Sequence, residues 1–340
     1  MRNRTKGLMK TRWTHILFVL TLALCAMDTL RTHAAQNDPA IAKPKQKTFA
    51  SPDDLATAYV TACEQQDTAA MRALLGPGGE ELINSGDEAQ DKRRRERFAN
   101  MAKEAMQVRP DPYNLDRFLI YVGERQWPLP IPIVKDGNAY RFDTGAARTE
   151  ILARRVGHNE LDAIALLREI LAAQIDFAYA DQKEVGIREY AQNIISDPDK
   201  HNGLYWDANE GDPASPLADA INKAVAQGYE LPQAGEPFLY HGYIFKMLLA
   251  QGPNAPGGAR DYVLQDKMMG GFAAVAYPVE YGVTGIKTFL VNQDGTVQEK
   301  DLGASSSKMA ENIKAYNPDK TWNEAPREET ESETKAASKP

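Results

Sequence analysis

Cysteine is scarce in this 340-residue sequence, which has only Cys25 and Cys63. With Cys25 inside a removable leader, the remaining chain keeps one thiol and no internal disulfide, so its stability rests on ordinary apolar cores. Histidine is sparse as well. After residue 34 it occurs only at His158, His201 and His241, forty or more residues apart, without the short spacings that favour a local metal site. No Gly-x-Ser-x-Gly elbow is present. Gly252–Gly258 is glycine-rich but lacks the Lys-Ser or Lys-Thr ending of a phosphate loop, so it reads as an ordered connection between strands. The stretch around Asp294-Gly295 lacks the alternating acids of a calcium loop. No cofactor, metal ligand set or catalytic residue is assigned from these patterns.

What is present begins with a leader. Arg2, Arg4, Lys6, Lys10 and Arg12 precede the eleven-residue apolar stretch Ile16–Ala26, and Thr32-His33-Ala34 offers small residues for cleavage. A bilayer span takes roughly 20 residues, so residues 1–34 read as a signal peptide, and the mature chain is expected to be periplasmic or secreted with no transmembrane anchor. Two alternatives stay open: lipid attachment at Cys25, disfavoured by the bulk of Leu24, and Met9 as the start. The full chain has formal charge −7, and removing a leader of net +5 leaves −12. That balance argues against a nucleic-acid surface.

Residues 35–47 read as a flexible lead-in. Ser51-Pro52-Asp53-Asp54 starts a helix, with Ser51 as cap, and the apolar spacing continues through Leu74-Leu75 to Gly76. Cys63 falls on its apolar side and reads as a core thiol. A second helix covers about Glu88–Met106, and its run Lys92-Arg93-Arg94-Arg95 reads as a solvated face. Ser85, just before it, reads as a turn or capping residue. After Pro110, Arg117–Val122 and Tyr140–Phe142 are strand-like and flank the turn Asp136-Gly137-Asn138. Residues 48–148 are therefore expected to form an N-terminal α+β domain, with a cone-shaped fold like nuclear transport factor 2 as the analogy.

A second α+β domain is expected over residues 149–322. Its long helix is placed at about Asn159–Ala180, with Asn159 as cap and His158 in the preceding turn. Ile164, Leu167, Leu171, Ile175 and Ala178 form one apolar stripe, adjoined by Ala163, Leu166, Ile170, Ala173 and Phe177. Strands are expected beyond it at Tyr240–Leu249, where His241 reads as a packed or edge residue, at Gly271–Pro278 and at Lys287–Glu299, the last turning at Asn292–Gly295. Residues 323–340 read as a disordered tail.

Trp127–Lys135, Arg154–Leu161, Glu189–Gln192, Gly203–Trp206, Ala250–Gly258 and Gly271–Gly282, running on to Lys300–Gly303, occur in order. Together they resemble the bacterial domain of unknown function 2950 family over about residues 48–322. The resemblance implies an exported protein and no assigned reaction. The second half alone is similar to the globular head of pilins and pseudopilins, through its long helix, Tyr240–Phe245, an Ala-Tyr-Pro strand and the closing hairpin. It departs from them because a different domain stands where their assembly helix follows the leader.

Aromatic residues on Pro- and Gly-rich segments are the candidate contacts: Trp127, Tyr205, Trp206 and Tyr281. These residues suggest a non-catalytic envelope module that binds an unknown small molecule or envelope protein. One alternative is an envelope hydrolase with His158, Glu160 and Asp207 converging where the halves meet. Another is a structural component of a secretion or envelope assembly. The leader yields the first test: N-terminal sequencing of periplasmic protein should begin near Ala35, and Cys25→Ser should leave localisation unchanged. A membrane-bound product starting at Met1 or Met9 would contradict this.

Overall fold

The computed structural model describes residues 45–185, 188–198, 200–208 and 211–326. The expected leader, nearly all of the lead-in and residues 327–340 lie outside the described residues. All described residues belong to one compact unit, Lys43–Pro340.

The opening helix α1 (Pro52–Glu64) starts as the sequence suggests, with the Asp54 N–H donating to Ser51 Oγ at 3.1 Å. It does not run on to Leu75. Gln66 adopts φ 54° and Asp67 caps a new helix, α2 (Thr68–Leu75), by accepting from the Ala70 N–H at 2.9 Å. A short α3 (Glu80–Ile83) and α4 (Glu88–Glu104) come after it. Next is an antiparallel sheet made of β1 (Met106–Asp111), β2 (Asn114–Val122), β4 (Ile133–Asp136) and β5 (Ala139–Phe142), with β3 (Trp127–Pro128) on the end of β2. Leu55, Tyr59, Cys63, Leu75, Phe98, Ile120, Ile133 and Phe142 share its core, and Tyr59 meets the Phe98 and Phe142 rings edge-on. Burial raises the Cys63 thiol to about 12, so it stays protonated, as a core thiol should.

The long helix α5 spans Thr144–Val185 and is 42 residues long. It begins fifteen residues before the expected Asn159, because Asp143 Oδ1 accepts from the Ala146 N–H at 3.2 Å and no proline interrupts the chain between there and Val185. Gly157 is tolerated in the helix, and Asn159 lies fully buried inside it. The expected boundary at residue 148 falls in the helix's opening turns. Its first part packs Ala147 and Ile151 into the first core, and from Ala163 onward it packs into a second.

The second core lies under a six-stranded antiparallel sheet, ordered β17 (Asn323–Glu324), β16 (Gln298–Asp301), β15 (Lys287–Asn292), β14 (Ala273–Pro278), β9 (Tyr243–Leu248) and β8 (Phe238–Tyr240). Every residue of β14 is buried, and both α5 and α7 (Ser306–Glu311) pack against it. Because β17 pairs with β16 and Ala325 is buried, the described fold continues past residue 322. Smaller pieces complete this half: parallel β6 (Asn193–Ile195) and β7 (Gly203–Tyr205), α6 (Ala218–Ala226), and the hairpins β10 (Ala250–Gln251) with β11 (Arg260–Asp261) and β12 (Val263–Leu264) with β13 (Lys267–Met268). Gly203 allows the β6–β7 approach, since a Cβ there would sit 2.5 Å from the Ser196 nitrogen. Gln251 Nε2 orders the Gly252–Gly258 connection by donating to Pro256 O and Gly258 O.

Of the expected stripes on α5, Ile164, Leu167, Ile170, Ala173 and Ala178 are buried, whereas Leu171 is half-buried and Ile175 is 42 % exposed. Ile175 lies on the flank of the helix that faces solvent. Leu167→Ala should therefore cost about 2–5 kcal/mol in urea denaturation, and Ile175→Ala no more than about 0.5 kcal/mol. Equal losses would contradict this placement of the helix.

Candidate functional site

Two regions collect polar side chains, and the first is where the cores meet. Asp87 caps α4, its Oδ1 accepting from the Gln90 N–H at 2.9 Å. Its Oδ2 reaches into the second half, accepting from Tyr229 Oη at 2.7 Å and the Gly242 N–H at 2.6 Å. Gly242 closes the β8–β9 hairpin with His241. These residues adopt φ 74° and 46°, the double positive φ of a two-residue turn. His241 thus sits in the turn itself, not in a strand. A Cβ on Gly242 would fall 2.7 Å from Asn159 Nδ2. Asn159 is a crosslink and not a helix cap: its Oδ1 accepts from Gln90 Nε2 at 3.1 Å and its Nδ2 donates to Thr284 O at 2.9 Å.

The basic run in α4 belongs to this junction, which corrects its reading as a solvated face. Lys92 is exposed, 4.0 Å from Glu96. Arg93 donates to Gln227 O and, at 3.1 Å, to Tyr229 Oη, and its guanidinium lies 4.8 Å from the Tyr229 ring centroid. Arg95 donates to Gln66 Oε1 and Ile83 O. Burial, with the neighbouring Arg155 charge, lowers Arg94 to about 10. Arg155 is itself lowered by burial and donates to Glu81 O and Leu82 O. Burial together with the Asp87 charge pushes the Tyr229 phenol well up. Ser85 has a turn role, its N–H and Oγ donating to the Asp91 carboxylate at 2.7 and 2.9 Å. Burial nevertheless outweighs those bonds and raises the Asp91 pKa.

Around His241 a second cluster forms. Its Nδ1 lies 2.6 Å from Asp162 Oδ2, its Nε2 is 2.9 Å from Gln227 Oε1, and the Tyr240 ring stacks on it at 3.9 Å. His158, one helical turn before Asp162, brings its Nε2 to 3.3 Å from the same carboxylate oxygen. His158 stands exposed on α5, not in a turn, because the helix began earlier. Glu160 accepts from the Ile286 and Lys287 N–H groups at 2.9 and 3.0 Å, and Asp207 accepts from Tyr205 Oη at 2.7 Å. Among the described residues no hydrogen bond or ion pair joins His158, Glu160 and Asp207, and no hydroxyl or thiol bonds to either imidazole of the Asp162 cluster. No group of three or more His, Cys, Asp or Glu among them is arranged to hold a metal ion.

The second region is a pair of clefts in the second half. One, of about 470 Å³, is lined by β6, β9 and the chain after α7, including Ile194, Lys246, Met247, Leu249, Ile313 and Lys314. The other, of about 430 Å³, is lined by Phe177, Tyr190, Asp197, His201 and Asn202 among others. Gln192 and Asn193 line both. His201 stacks on Trp206 at 4.5 Å, and Trp206 Nε1 donates to Pro213 O at 3.1 Å, which fixes the indole behind His201. Tyr205 is buried beside it. Trp127 is 41 % exposed on β3, and Tyr281 donates to Asp301 Oδ2 at 3.2 Å; none of Trp127, Tyr205, Trp206 and Tyr281 lines either of these two clefts, and Trp206 adjoins the second through His201.

Of the residues that build these regions, Asp87, Asp162, Gln227 and Tyr229 were given no part in a site by the sequence, and Arg93 was read only as part of a solvated face. Asp87 carried a local signal as a helix cap, but its long-range role did not. Asp162 had one in the His158–Asp162 helical spacing.

The molecule is thus a mixed α+β protein in which one helix serves two cores, and no helix among the described residues is long and apolar enough to cross a membrane. Residues 46–325 match the family described as protein of unknown function (DUF2950), and the chain belongs to it. No curated protein and no solved structure matches it.

The raised Asp91 pKa has a defined sign. The unfolded chain releases this proton in the ordinary carboxylate range and the folded protein releases it higher, so folded Asp91 loses stability as pH rises through that window. Urea midpoints of Asp91→Asn relative to wild type should therefore improve progressively as pH rises from about 3.5. A difference independent of pH would contradict the assignment.

Proposed function

We propose that this is an exported, periplasmic, non-catalytic protein of the cell envelope that binds a small molecule or partner through the paired clefts of its second half. The observation that carries this reading is the trough formed by clefts sharing Gln192 and Asn193, with the His201–Trp206 stack at its rim. Each volume is in the range of small-molecule sites. A rigid aromatic side chain at such a rim gives large contact area at low entropic cost. The candidate contacts Tyr205 and Trp206 support recognition here, Tyr205 by holding the strand and Trp206 by presenting its ring. Trp127 and Tyr281 remain as separate surface contacts. The junction supports the reading from the other side, because Glu160 and Asp207 are engaged in holding main chain and phenol.

Capture of a ligand or partner from periplasmic extract tests this. Trp206→Ala and His201→Ala should weaken it together, since each holds the other's ring, whereas His158→Ala and His241→Ala should not. A hydrolytic activity abolished by His158→Ala in a folded protein would replace this reading with the envelope hydrolase.

A further inference from the structure

The larger cleft combines apolar side chains with two lysines, Lys246 and Lys314, set against one carboxylate, Glu236. β9 pairs with β14 along its whole length but with β8 only at Tyr243–Phe245. Among the described residues, therefore, no strand hydrogen-bonds to the other edge of Lys246–Leu248, and β6 lies against β9. This stretch lines the cleft with Ile194 and Ile313; Met247, Leu248 and Ile194 are buried in its floor, and the neighbouring Leu249 is 43 % exposed, a large apolar side chain left open to solvent at a concave surface.

Lys246 and Lys314 line the same cleft. Lys246 is half-buried and its Nζ donates to a main-chain carbonyl, Glu311 O, at 2.8 Å. Among the described residues neither lysine has a carboxylate within ion-pair distance, although the chain as a whole is acidic. Glu236, in the lining of the same cleft, accepts from the Gln233 N–H at 3.1 Å and forms no ion pair with either lysine, and the Glu311 charge only partly offsets the effects of burial and Lys314 on Lys246. Burial first, and the Lys314 charge second, hold the Lys246 pKa below its ordinary value.

Resting on the binding reading above, we infer that this cleft takes a small organic anion with an apolar chain, its anionic head between Lys246 and Lys314 and its chain along Met247, Leu249 and Ile313. A neutral amphiphile would bring the two ammonium groups no counter-charge, and an inorganic anion would leave the Leu249 side chain in water. Only a ligand carrying both features answers both.

The test is isothermal titration of the full mature chain with octanoate, octanol, octylammonium and inorganic phosphate. Octanoate should bind saturably at one site, roughly tenfold or more tighter than octanol, as a charge-assisted bond gives, while octylammonium should not bind. Lys314→Met, a substitution at an exposed position, should weaken octanoate roughly tenfold without changing octanol, and Lys246→Met should do the same where its melting curve shows a folded protein. Hydrogen exchange should slow at residues 192–194, 246–249 and 313–314 on adding octanoate. Octanol binding as tightly as octanoate, phosphate competing fully, or octanoate binding unchanged in Lys314→Met would each overturn the inference. If octanoate fails to bind while Trp206→Ala still weakens capture from extract, the anion assignment falls alone. If both fail, the binding reading falls with it.

Discussion

The fold turns on one carboxylate. Asp87 is fully buried, yet it satisfies a helix start in the first core and a phenol and a hairpin N–H in the second. α5 already ties the cores covalently, but a single helix leaves them free to twist about its axis. The Asp87 bonds, with Asn159 linking Gln90 to Thr284, remove that freedom. The Asp87 carboxyl group is tolerable in the interior because its oxygens accept three hydrogen bonds. Replacing it with an apolar residue would strand the Tyr229 hydroxyl and the Gly242 N–H together, which is the costly kind of loss.

This arrangement separates holding from binding. At the junction Arg93, Arg95, Glu160, Asp162 and His241 are engaged with main chain or with other side chains, and the polar atoms left without a partner there, Gln90 Oε1 and Arg155 Nε, are buried. Along the trough the balance reverses. The Asn193 amide and the Lys314 ammonium make no hydrogen bond to the described residues, and Leu249 stands open. A rigid body carrying an incompletely satisfied concavity is what a binding protein requires, since little ordering cost then falls on the complex.

Much of the architecture was legible because it obeys local rules. Ser51 announces α1, the Asp136-Gly137-Asn138 turn joins β4 to β5, Asn292–Gly295 joins β15 to β16, and the apolar stripes of α5 point to its core. The errors arose where a tertiary partner outranked the local signal. Asn159 resembled a cap, but its side chain finds buried partners in α4 and beside Thr284, and a helix start existed earlier at Asp143. The Lys-Arg-Arg-Arg run resembled a solvated face because charge pairs within the helix were visible in sequence, whereas carbonyls at Ile83 and Gln227 were not. The β8–β9 turn was missed because His241 takes a positive φ that its residue type seldom adopts. At the candidate site, Trp206 was legible as an aromatic on a glycine-containing segment. The trough itself was not, since it is walled by β6, β9 and the chain after α7, which are distant in sequence.

The central claim is that the Asp87 junction makes two cores a single cooperative body on which the trough is held. Differential scanning calorimetry of the wild-type mature chain and of Asp87→Ala tests it most directly. The account predicts one transition for wild type with calorimetric and van't Hoff enthalpies in agreement, splitting into two in the variant. Two separate transitions already present in the wild type would contradict it.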